Sequence, residues 1–395
     1  MWSRTANKMK IVVGGAGIVS ALGKGVGENL AALRTGRSGI VPQPVILHTG
    51  NKLPVGEFPA TDEELHRMAE IPVRAHLSRT ALLGILAVRE ALADAKIPEG
   101  MQVGLVSATS VGGMDRTEVF FSEFMEDESR GRLRDVRMHD CAAGTEAIAR
   151  YCGIEGYATT VSTACSSAAN ALMTGARLIR HGIVDCVVAG GTDALSAFTL
   201  NGFKSLMILD EAPCRPFDDS RSGLNLGEGA GYVVLMREED ASDAYCTLAG
   251  YANRNDAHHQ TASSEEGEGA FLAMEGALAM AGIPASRVDY VNVHGTGTPN
   301  NDASEGRALQ RLFGDALPAF SSTKAFTGHT LAAAGGIEAV FSALAVRYGL
   351  LYPNLNFSSG PLVPVLEFAE GRKVDCVLSN SFGFGGNCSS LLFAK

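Results

Sequence analysis

The stretch YATTVSTACSSAANALMTGARLIR, residues 157–180, changes from one hydrophobic pattern to another within a few residues. Residues 157–163 are mostly apolar or β-branched, which predicts a strand. After Cys165, a helix is predicted from apolar residues at spacings of four and three, namely Leu172, Ala176 and Ile179. The stretch therefore predicts that a strand passes into a helix through a short turn, and that Cys165 lies in this turn.

Similar apolar runs alternate with helical patterns along the chain, which is typical of a layered α/β fold. The runs that predict strands are 10–13, 102–107, 158–163, 185–189, 231–236, 288–293, 318–321, 376–380 and 389–393. Residues 78–95 carry a broad apolar stripe and predict a buried helix. The charged segment 236–244 is the best candidate for a junction, which divides the chain into halves 9–244 and 245–395.

Composition restricts the class of protein. The chain has 395 residues, is 46% hydrophobic and contains 46 glycines, as a globular protein would. Its formal net charge of -10 argues against broad nucleic-acid binding. Glycines interrupt the apolar segment near the N-terminus, and we see no apolar run approaching the length of a membrane span. We therefore expect a cytoplasmic protein that binds neither nucleic acid nor a membrane.

The eight cysteines are spaced singly, without the C-x-x-C pattern of zinc ribbons and thioredoxins. Most lie in apolar runs, so all except Cys165 are interpreted as reduced core thiols. The adjacent His258 and His259 lack a second cluster of ligands and are interpreted as part of an exposed loop. We expect no bound metal.

Cys165 is the candidate nucleophile. At the start of a helix, the helix dipole is expected to favour thiolate over thiol. The neighbouring residues are small, and the N–H groups of a helix start can stabilise an oxyanion. The alternative is a buried, inert cysteine at the end of a strand.

Two histidines lie in Gly/Thr-rich segments, His294 in HGTGTPNND and His329 in KAFTGH. His294 follows a predicted strand, a usual place for functional residues in α/β proteins. The alternative is a turn histidine that caps the next helix. The hydroxyl groups of Thr296 and Thr298 are suited to hold an extended polar chain.

His329 precedes a predicted helix of small residues. Lys324 and Glu338 lie on either side of it in an apolar segment, so we expect these two side chains to form an ion pair. The alternative is that Lys324 is a solvated cation in a loop. The glycine-rich segment SNSFGFGGNCSS, 379–390, contains Phe382 and Phe384. It is either a hydrophobic gate with an N–H aimed at an oxyanion or a tight turn before the last strand.

In this order, the motifs TACSS, GTDAL, GEGAG, HGTGT, KAFTGH and FGFGG resemble those of β-ketoacyl-acyl-carrier-protein synthases, type II condensing enzymes of the thiolase superfamily. The resemblance covers nearly the whole chain. It implies an α/β thiolase-like fold, in which two duplicated βαβαβαββ halves form a five-layered αβαβα arrangement. The first half would carry the nucleophilic cysteine and the second half both histidines.

The resemblance implies an acyltransferase that performs a decarboxylative Claisen condensation in fatty-acid or polyketide/polyene elongation. Cys165 would accept an acyl group from acyl carrier protein as a thioester. His294 and His329 would hydrogen-bond the malonyl thioester and stabilise the enolate left after carbon dioxide departs. No metal or other cofactor is implied, because the phosphopantetheine arm arrives on the carrier protein.

The resemblance also implies supporting roles. Backbone N–H groups of Cys165 and Phe384 would hold the oxyanion, and Phe384 would gate the acyl pocket. Lys324, with Glu338, would orient the site around His329. The residues expected to contact substrate are Thr296, Thr298, Phe382 and Val111.

The implied partners are acyl carrier protein and a second subunit, either a second copy of this chain or a related synthase-like subunit. An acidic carrier protein needs a basic docking patch despite the net charge of -10. The candidate residues are Arg130, Arg132, Arg134 and Lys204.

Some positions depart from the family pattern, and other functions stay open. Asn387 and Cys388 follow Gly386 where the family often has GFGGTN, which leaves the shape of the acyl pocket open. TACSS is closer to polyketide-type synthases. A chain-length-factor-like subunit would lack Cys165, and a coenzyme A-dependent thiolase would have a second catalytic cysteine in a C-x-G context. A hydrolase with a Cys-His-acid triad lacks a clearly placed acid.

Overall fold

The computed structural model describes residues 9–47 and 49–395. The strands are β1 Ile11–Ser20, β2 Gly23–Lys24, β3 Ile40–Val41, β4 Val55–Gly56, β5 Val103–Ala108, β6 Ala158–Val161, β7 Cys186–Asp193, β8 Leu226–Gly227, β9 Gly229–Arg237, β10 Cys246–Asn255, β11 Tyr290–Asn292, β12 Ala319–Ser321, β13 Cys376–Gly383 and β14 Asn387–Ala394. The helices are α1 Gly25–Thr35, α2 Asp62–Met68, α3 Arg79–Ala95, α4 Met114–Glu126, α5 Leu133–Val136, α6 Cys141–Tyr151, α7 Ser167–Arg180, α8 Ala197–Ser205, α9 Glu268–Ala281, α10 Pro299–Phe313, α11 Lys324–Thr327 and α12 Ala334–Tyr348.

The main sheet repeats one strand order twice. Its first half runs β6–β5–β7–β9–β1 and its second half runs β12–β11–β13–β14–β10. In both halves the first three strands of this order are parallel to one another, the fourth is antiparallel to the third, and the fifth is antiparallel to the fourth. The halves join where β1 pairs with β10, Val12 opposite Thr247. This repeated topology agrees with the predicted duplicated α/β fold.

Helices and sheet alternate in five layers. α3 packs against β1 and β9 on the outer face of the first half, and α9 packs against β10 and β14 on the outer face of the second. Between the two halves lie α7, which packs against β5 and β7, and α12, which packs against β9 and β13. α12 is almost completely buried because sheet lies on both sides of it.

Most strands lie where the apolar runs predict them, but β1 and β10 differ. β1 continues to Ser20 through a bulge between Val13 and Gly15. Gly17 permits close packing there, because a Cβ on it would meet the Ala87 carbonyl oxygen of α3 at 2.0 Å. β10 was not predicted, because its sequence CTLAGYANRN interrupts apolar residues with glycine and asparagine.

The predicted helix 78–95 is confirmed. It begins after Ser78, whose hydroxyl oxygen accepts the N–H of Ala81 as an N-cap. The predicted junction 236–244 contains the end of β9 and a single helical turn before β10. The bounds of the two halves, 9–244 and 245–395, stay a prediction.

One prediction about hydrophobic segments was wrong. The helical stretch Leu331–Tyr348 has the length and apolar composition of a membrane span, but 89% of it is buried inside the fold. Its apolarity is explained by the position of α12 between the two halves of the sheet. All eight cysteines are free thiols, and only Cys141 and Cys152 are partly exposed.

Candidate active site

A strained turn presents Cys165. β6 ends at Val161 and α7 begins at Ser167, and Ala164 between them adopts a left-handed φ of 53°. The hydroxyl of Ser167 accepts the Thr163 N–H at 2.8 Å and donates to the Ala164 carbonyl at 2.5 Å. These hydrogen bonds hold the predicted strand–turn–helix with Cys165 at the turn.

The structure brings Cys165 together with both predicted histidines. The sulfur of Cys165 and ring nitrogens of His294 and His329 lie within 4.8 Å of one another, and all three residues are buried. The two imidazole rings are nearly perpendicular, with centroids 5.4 Å apart. A thiol and two imidazoles therefore share one small volume.

These three side chains line a cavity of about 320 Å³. Other predicted site residues that line it are Thr296, Thr298, Phe382 and Phe384. The ring of Phe384 stacks on Phe203, with centroids 5.9 Å apart. Val111 lies outside this lining and packs against an apolar cluster that includes Leu224, which does line the cavity.

The backbone around His329 fixes the position of its proton. The Leu331 N–H donates to Nδ1 of His329 at 3.2 Å, so this nitrogen is an acceptor and the neutral ring carries its proton on Nε2. Leu331 adopts a left-handed φ of 52° in this turn. The next N–H, that of Ala332, donates to the buried carboxylate of Asp193 at 2.8 Å.

His294 is fixed through its backbone. The N–H groups of His294 and Gly295 each donate to the carboxylate of Glu305 in α10 at 2.9 Å. The ammonium of Lys324 donates to the His294 carbonyl oxygen at 2.5 Å and forms a buried ion pair with Glu338. The expected pairing of Lys324 with Glu338 is present. Lys324 donates to the backbone of His294, whereas the family resemblance implied that Lys324 orients the site around His329.

Burial sets the charge state of the site. It lowers the pKa of both histidines well below 6.5, and the nearby Lys324 ammonium lowers them further, so the imidazoles are neutral at pH 7. Burial raises the pKa of Cys165 to about 11, although Lys324 and the backbone N–H groups of Phe384 and Cys165 act in the opposite direction. The helix start was expected to favour thiolate over thiol, whereas the desolvation of the buried sulfur acts in the opposite direction and favours the thiol.

The Cys165–His294–His329 group has donor types that also bind metals. Ligation through Nε2 of His329 would move its proton to Nδ1, which already accepts the Leu331 N–H. The geometry therefore favours hydrogen-bond donation by His329 over metal ligation. His258 and His259 lie in an exposed loop as expected, but His259 also lines the rim of the cavity.

Sequence reasoning missed two carboxylates that support the histidines, Glu305 and Asp193. Burial raises the pKa of Glu305 to about 7. A glutamate on a polar helix is usually exposed, so the sequence carries no signal for its contact with His294. Asp193 lies in the GTDAL motif, which points to a turn but not to its contact with the segment after His329.

Comparisons with known proteins agree with this geometry. The family description "Beta-ketoacyl synthase, N-terminal domain" matches residues 8–241, and "Beta-ketoacyl synthase, C-terminal domain" matches residues 245–358. The chain belongs to the β-ketoacyl synthase family. It is 33% identical to the 3-oxoacyl-[acyl-carrier-protein] synthase 2 of Rhizobium meliloti (strain 1021), covering 98% of this chain and 99% of that protein.

Two solved structures relate this β-ketoacyl synthase to ketosynthases. The ishigamide ketosynthase/chain length factor superposes with a TM-score of 0.91 at 29% identity, covering 98% of this chain and 99% of that one. A ketosynthase in complex with its chain length factor from Xenorhabdus doucetiae gives a TM-score of 0.84 at 33% identity and full coverage of both chains. The family and the thiolase-like fold predicted from the motifs are confirmed.

Proposed function

We propose that this β-ketoacyl synthase loads an acyl group onto Cys165 and condenses it with malonyl-acyl carrier protein, which releases carbon dioxide and gives β-ketoacyl-acyl carrier protein. The convergence of the Cys165 sulfur with two neutral, buried imidazoles in one cavity carries this proposal. Fatty-acid and polyketide/polyene elongation both use this reaction, and the acyl chain that the cavity accepts decides between them.

In the first step Cys165 attacks the thioester carbonyl of an acyl carrier protein. Its proton needs an acceptor because the pKa of the thiol is about 11. Among the described residues, Nδ1 of His294 is buried without a hydrogen-bond partner, so His294 is the imidazole free to adopt either tautomer and accept this proton. The N–H groups of Cys165 and Phe384 stabilise the oxyanion, a C–S bond to Cys165 forms, and the carrier leaves as a protonated thiol.

In the second step the histidines act on the malonyl unit. The Nε2 proton of His329 and a ring N–H of His294 donate to the malonyl thioester carbonyl. The bond to the carboxylate breaks and the enolate forms as carbon dioxide leaves. The enolate carbon attacks the acyl-Cys165 carbonyl, a carbon–carbon bond forms and the bond to the Cys165 sulfur breaks. The thiolate of Cys165 then takes up one proton from water, which balances the negative charge that the malonyl carboxylate brought in.

The experiment that tests this function follows Cys165 by intact mass after incubation with acyl carrier proteins bearing different chains. An adduct on Cys165 that disappears as a β-ketoacyl product forms on adding malonyl-acyl carrier protein is the expected result. Cys165→Ala removes the adduct, whereas Cys141→Ala, at a partly exposed cysteine outside the cavity, retains it. An adduct that only hydrolyses, or no adduct with any carrier-bound chain, contradicts the proposal.

For the carrier protein we propose a basic docking surface around His76. Arg132 and Arg134 line a cavity of about 510 Å³ together with Arg116 and His76, but the same lining holds six carboxylates, so the basic part is the side that it shares with the adjoining cavity. An adjoining cavity of about 290 Å³ shares His76 and Arg134 with it. The further arginines that line this second cavity are Arg74, Arg137 and Arg150.

Two of these arginines have no carboxylate partner among the described residues, which supports a docking role for this surface. In residues 9–47 and 49–395, Arg116 pairs with Asp135, whereas Arg132 and Arg134 have no carboxylate partner. Unpaired cations on a chain of net charge -10 attract an acidic partner. Of the other candidates, Arg130 is paired with Glu126, and Lys204 donates to Asn51, outside the lining of either cavity.

We further propose that a second copy of this chain covers an apolar face formed by α4, α5 and α8. The exposed large apolar side chains of this region are Val119, Phe121, Phe124, Met125, Leu133, Phe198, Leu206 and Met207. Clustered exposed apolar side chains are typical of subunit interfaces. Light scattering distinguishes a dimer from a monomer, and Phe121→Asp is expected to shift a dimer to the monomer. A monomeric protein that binds a separately supplied chain-length-factor-like subunit would replace the homodimer with a heterodimer.

A further inference from the structure

A polar cluster lies beside the nucleophile turn, formed by the side chains of Ser166, Asn170, Asn253, Asn387 and Ser389. The Oδ1 atom of Asn387 is at its centre. It accepts the side-chain amides of Asn170 at 2.9 Å and Asn253 at 2.6 Å, and it lies 2.6 Å from the hydroxyl of Ser166, whose single proton it shares with the Thr163 carbonyl oxygen. Asn387 occupies the position at which this sequence departs from the GFGGTN pattern.

Asn387 connects two parts of the site. Ser166 and Asn170 belong to the nucleophile turn and α7, whereas Asn387 begins β14 directly after the loop Phe384–Gly386. The backbone N–H of Phe384 in this loop faces Cys165 and acts to lower the pKa of its thiol. The polar cluster therefore fastens the C-terminal end of the loop to the turn that carries the nucleophile.

The other end of the loop is fixed by close packing. A Cβ on Gly383 would meet the Thr163 carbonyl oxygen at 3.0 Å and the Cys165 nitrogen at 3.2 Å. Between the two fixed ends, Gly385 and Gly386 adopt left-handed φ angles of 81° and 78°, and glycine readily leaves such conformations. The loop is also bonded to the segment after β10, through the Gly385 N–H to the Gln260 carbonyl at 2.7 Å and the Asp256 N–H to the Gly386 carbonyl at 2.8 Å. Those bonds lead away from Cys165, whereas the bonds of Asn387 to Ser166 and Asn170 tie the loop to the nucleophile turn itself.

We propose that Asn387 is a positioning residue, which holds the Phe384 N–H against the oxyanion that forms on the carbonyl attached to Cys165. This inference rests on the proposed condensation. An oxyanion donor is effective only within hydrogen-bonding distance of the developing charge. Asn387 does not touch the substrate and acts through the loop.

The two steps of the reaction depend differently on this N–H. Loss of carbon dioxide from the malonyl unit uses the imidazoles of His294 and His329. Attack on the acyl-Cys165 carbonyl uses the Phe384 N–H. If the N–H is misplaced, the enolate still forms but takes up a proton, and acetyl-acyl carrier protein is released in place of the β-ketoacyl product.

The test compares Asn387→Leu, which removes the acceptor at similar volume, with Asn387→Asp, which keeps it. Each protein is loaded with its acyl chain, mixed with malonyl-acyl carrier protein, and the ratio of β-ketoacyl to acetyl product is measured. For Asn387→Leu we expect this ratio and the acylation rate of Cys165 to fall about 10- to 100-fold, less than the roughly 100- to 1000-fold for a removed oxyanion donor, because the Phe384 N–H is displaced and not lost. Asn387→Asp is expected to keep the ratio within about threefold, since a carboxylate oxygen accepts the same donors.

Asn51→Leu is the matched control, because Asn51 bonds Thr49, Asn201 and Lys204 outside the cavity. It is expected to keep the parent ratio. A ratio unchanged in Asn387→Leu, whether or not total activity falls, overturns the proposal, as does an equal loss in Asn387→Asp. Failure of the condensation itself is distinct, because the unmodified chain would then give no β-ketoacyl product at all.

Discussion

Cys165 lies in a turn just before a helix, as a nucleophile would, but its pKa is that of a buried thiol. Because burial raises its pKa to about 11, the thiolate fraction should grow about tenfold for each pH unit between pH 7 and pH 9. We predict that alkylation of Cys165 by iodoacetamide, followed by peptide mass, accelerates by this factor and does not level off below about pH 10. A plateau near pH 7 would show instead that the helix start activates the resting thiol.

The buried pair of Lys324 and Glu338 makes a second prediction possible. Lys324→Met leaves the Glu338 carboxyl buried without its ion-pair partner, which is expected to lower the free energy of unfolding by about 3–5 kcal/mol. Burial already raises the pKa of Glu338 above 4.5. In the variant this carboxyl is protonated when folded and ionised when unfolded, so stability should decrease further as the pH rises above about 4.5.

Urea unfolding at several pH values measures this effect. Lys373→Met, at an exposed lysine, is the matched control and should change stability little. Equal stability of Lys324→Met and the parent at pH 8 would mean that the pair contributes nothing. The double variant Lys324→Met/Glu338→Gln should regain part of the loss, because it removes the unpaired charge.

The residues that could be predicted from the sequence are those that stand in distinctive motifs. Cys165, His294 and His329 belong to small-residue turns, and these turns exist because a ligand or another backbone must approach closely. Asp193 accepts the Ala332 N–H from a segment 139 residues along the chain. Glu305 accepts the N–H groups of His294 and Gly295 back across the HGTGT turn, 11 and 10 residues before it. Such contacts depend on the assembled fold and leave no local pattern.

The turn Leu331–Ala333 after His329 is held by an element of the other half of the sheet. The carboxylate of Asp193, at the end of β7, accepts the Ala332 N–H and also the hydroxyl groups of Thr109 and Ser110. Asp193→Asn places an N–H₂ group among these donors. We predict a release of this turn, a fall of about tenfold or more in kcat for condensation and little change in KM.

Measuring the rates of Cys165 acylation and carbon dioxide release separately distinguishes a local effect of Asp193→Asn on the turn after His329 from a general loss of folding. Rates of Cys165 acylation should change less than the rate of carbon dioxide release, because the role proposed for His329 is on the malonyl unit. Equal losses in both steps, or a protein that no longer melts cooperatively, would assign Asp193 to folding alone. Asp185→Asn, at a partly exposed carboxylate before the start of β7, is the control and should keep both rates.

Strands were predictable where both faces are buried, as in β7 and β9, because each contains a continuous apolar run, CVVA in β7 and YVVLM in β9. β10 is equally long but carries Asn253 in the polar cluster and exposed Arg254 and Asn255 at its end. Its hydrogen bonds come from β1 and β14, which lie far away in sequence. The pairing of β1 with β10, which connects the two halves of the sheet, therefore could not be predicted from the sequence.

The last prediction concerns the unpaired arginines of the docking surface, which stand out on a chain with a formal net charge of -10. Arg134→Glu reverses one unpaired cation on the docking surface. We expect KM for malonyl-acyl carrier protein to rise about tenfold, more at low salt, with kcat nearly unchanged. A small pantetheine thioester should show no difference, because it lacks the acidic carrier.

Lys373→Glu, an exposed charge reversal outside both basic cavities, is the matched control and should leave KM unchanged. An unchanged KM for Arg134→Glu would remove the surface around His76 from docking. Lys204→Glu tests the remaining alternative from the sequence in the same assay.

The order of motifs along the chain made the architecture predictable, since each motif belongs to a turn at a fixed place in a duplicated fold. The five layers and the repeated strand order follow that prediction. The contacts between halves, such as those of Asn387 with Ser166, are a property of the folded molecule. The spacing of residues along the chain gave no indication of these contacts.

The raised pKa of the buried nucleophile also affects how this protein withstands oxidants. Peroxide oxidises thiolates much faster than thiols, and it attacks exposed sulfur first. Cys165 is buried, and near neutral pH only a minute fraction of it is ionised. A resting molecule should therefore keep its catalytic sulfur reduced under oxidative stress, without a resolving cysteine or a dedicated repair partner.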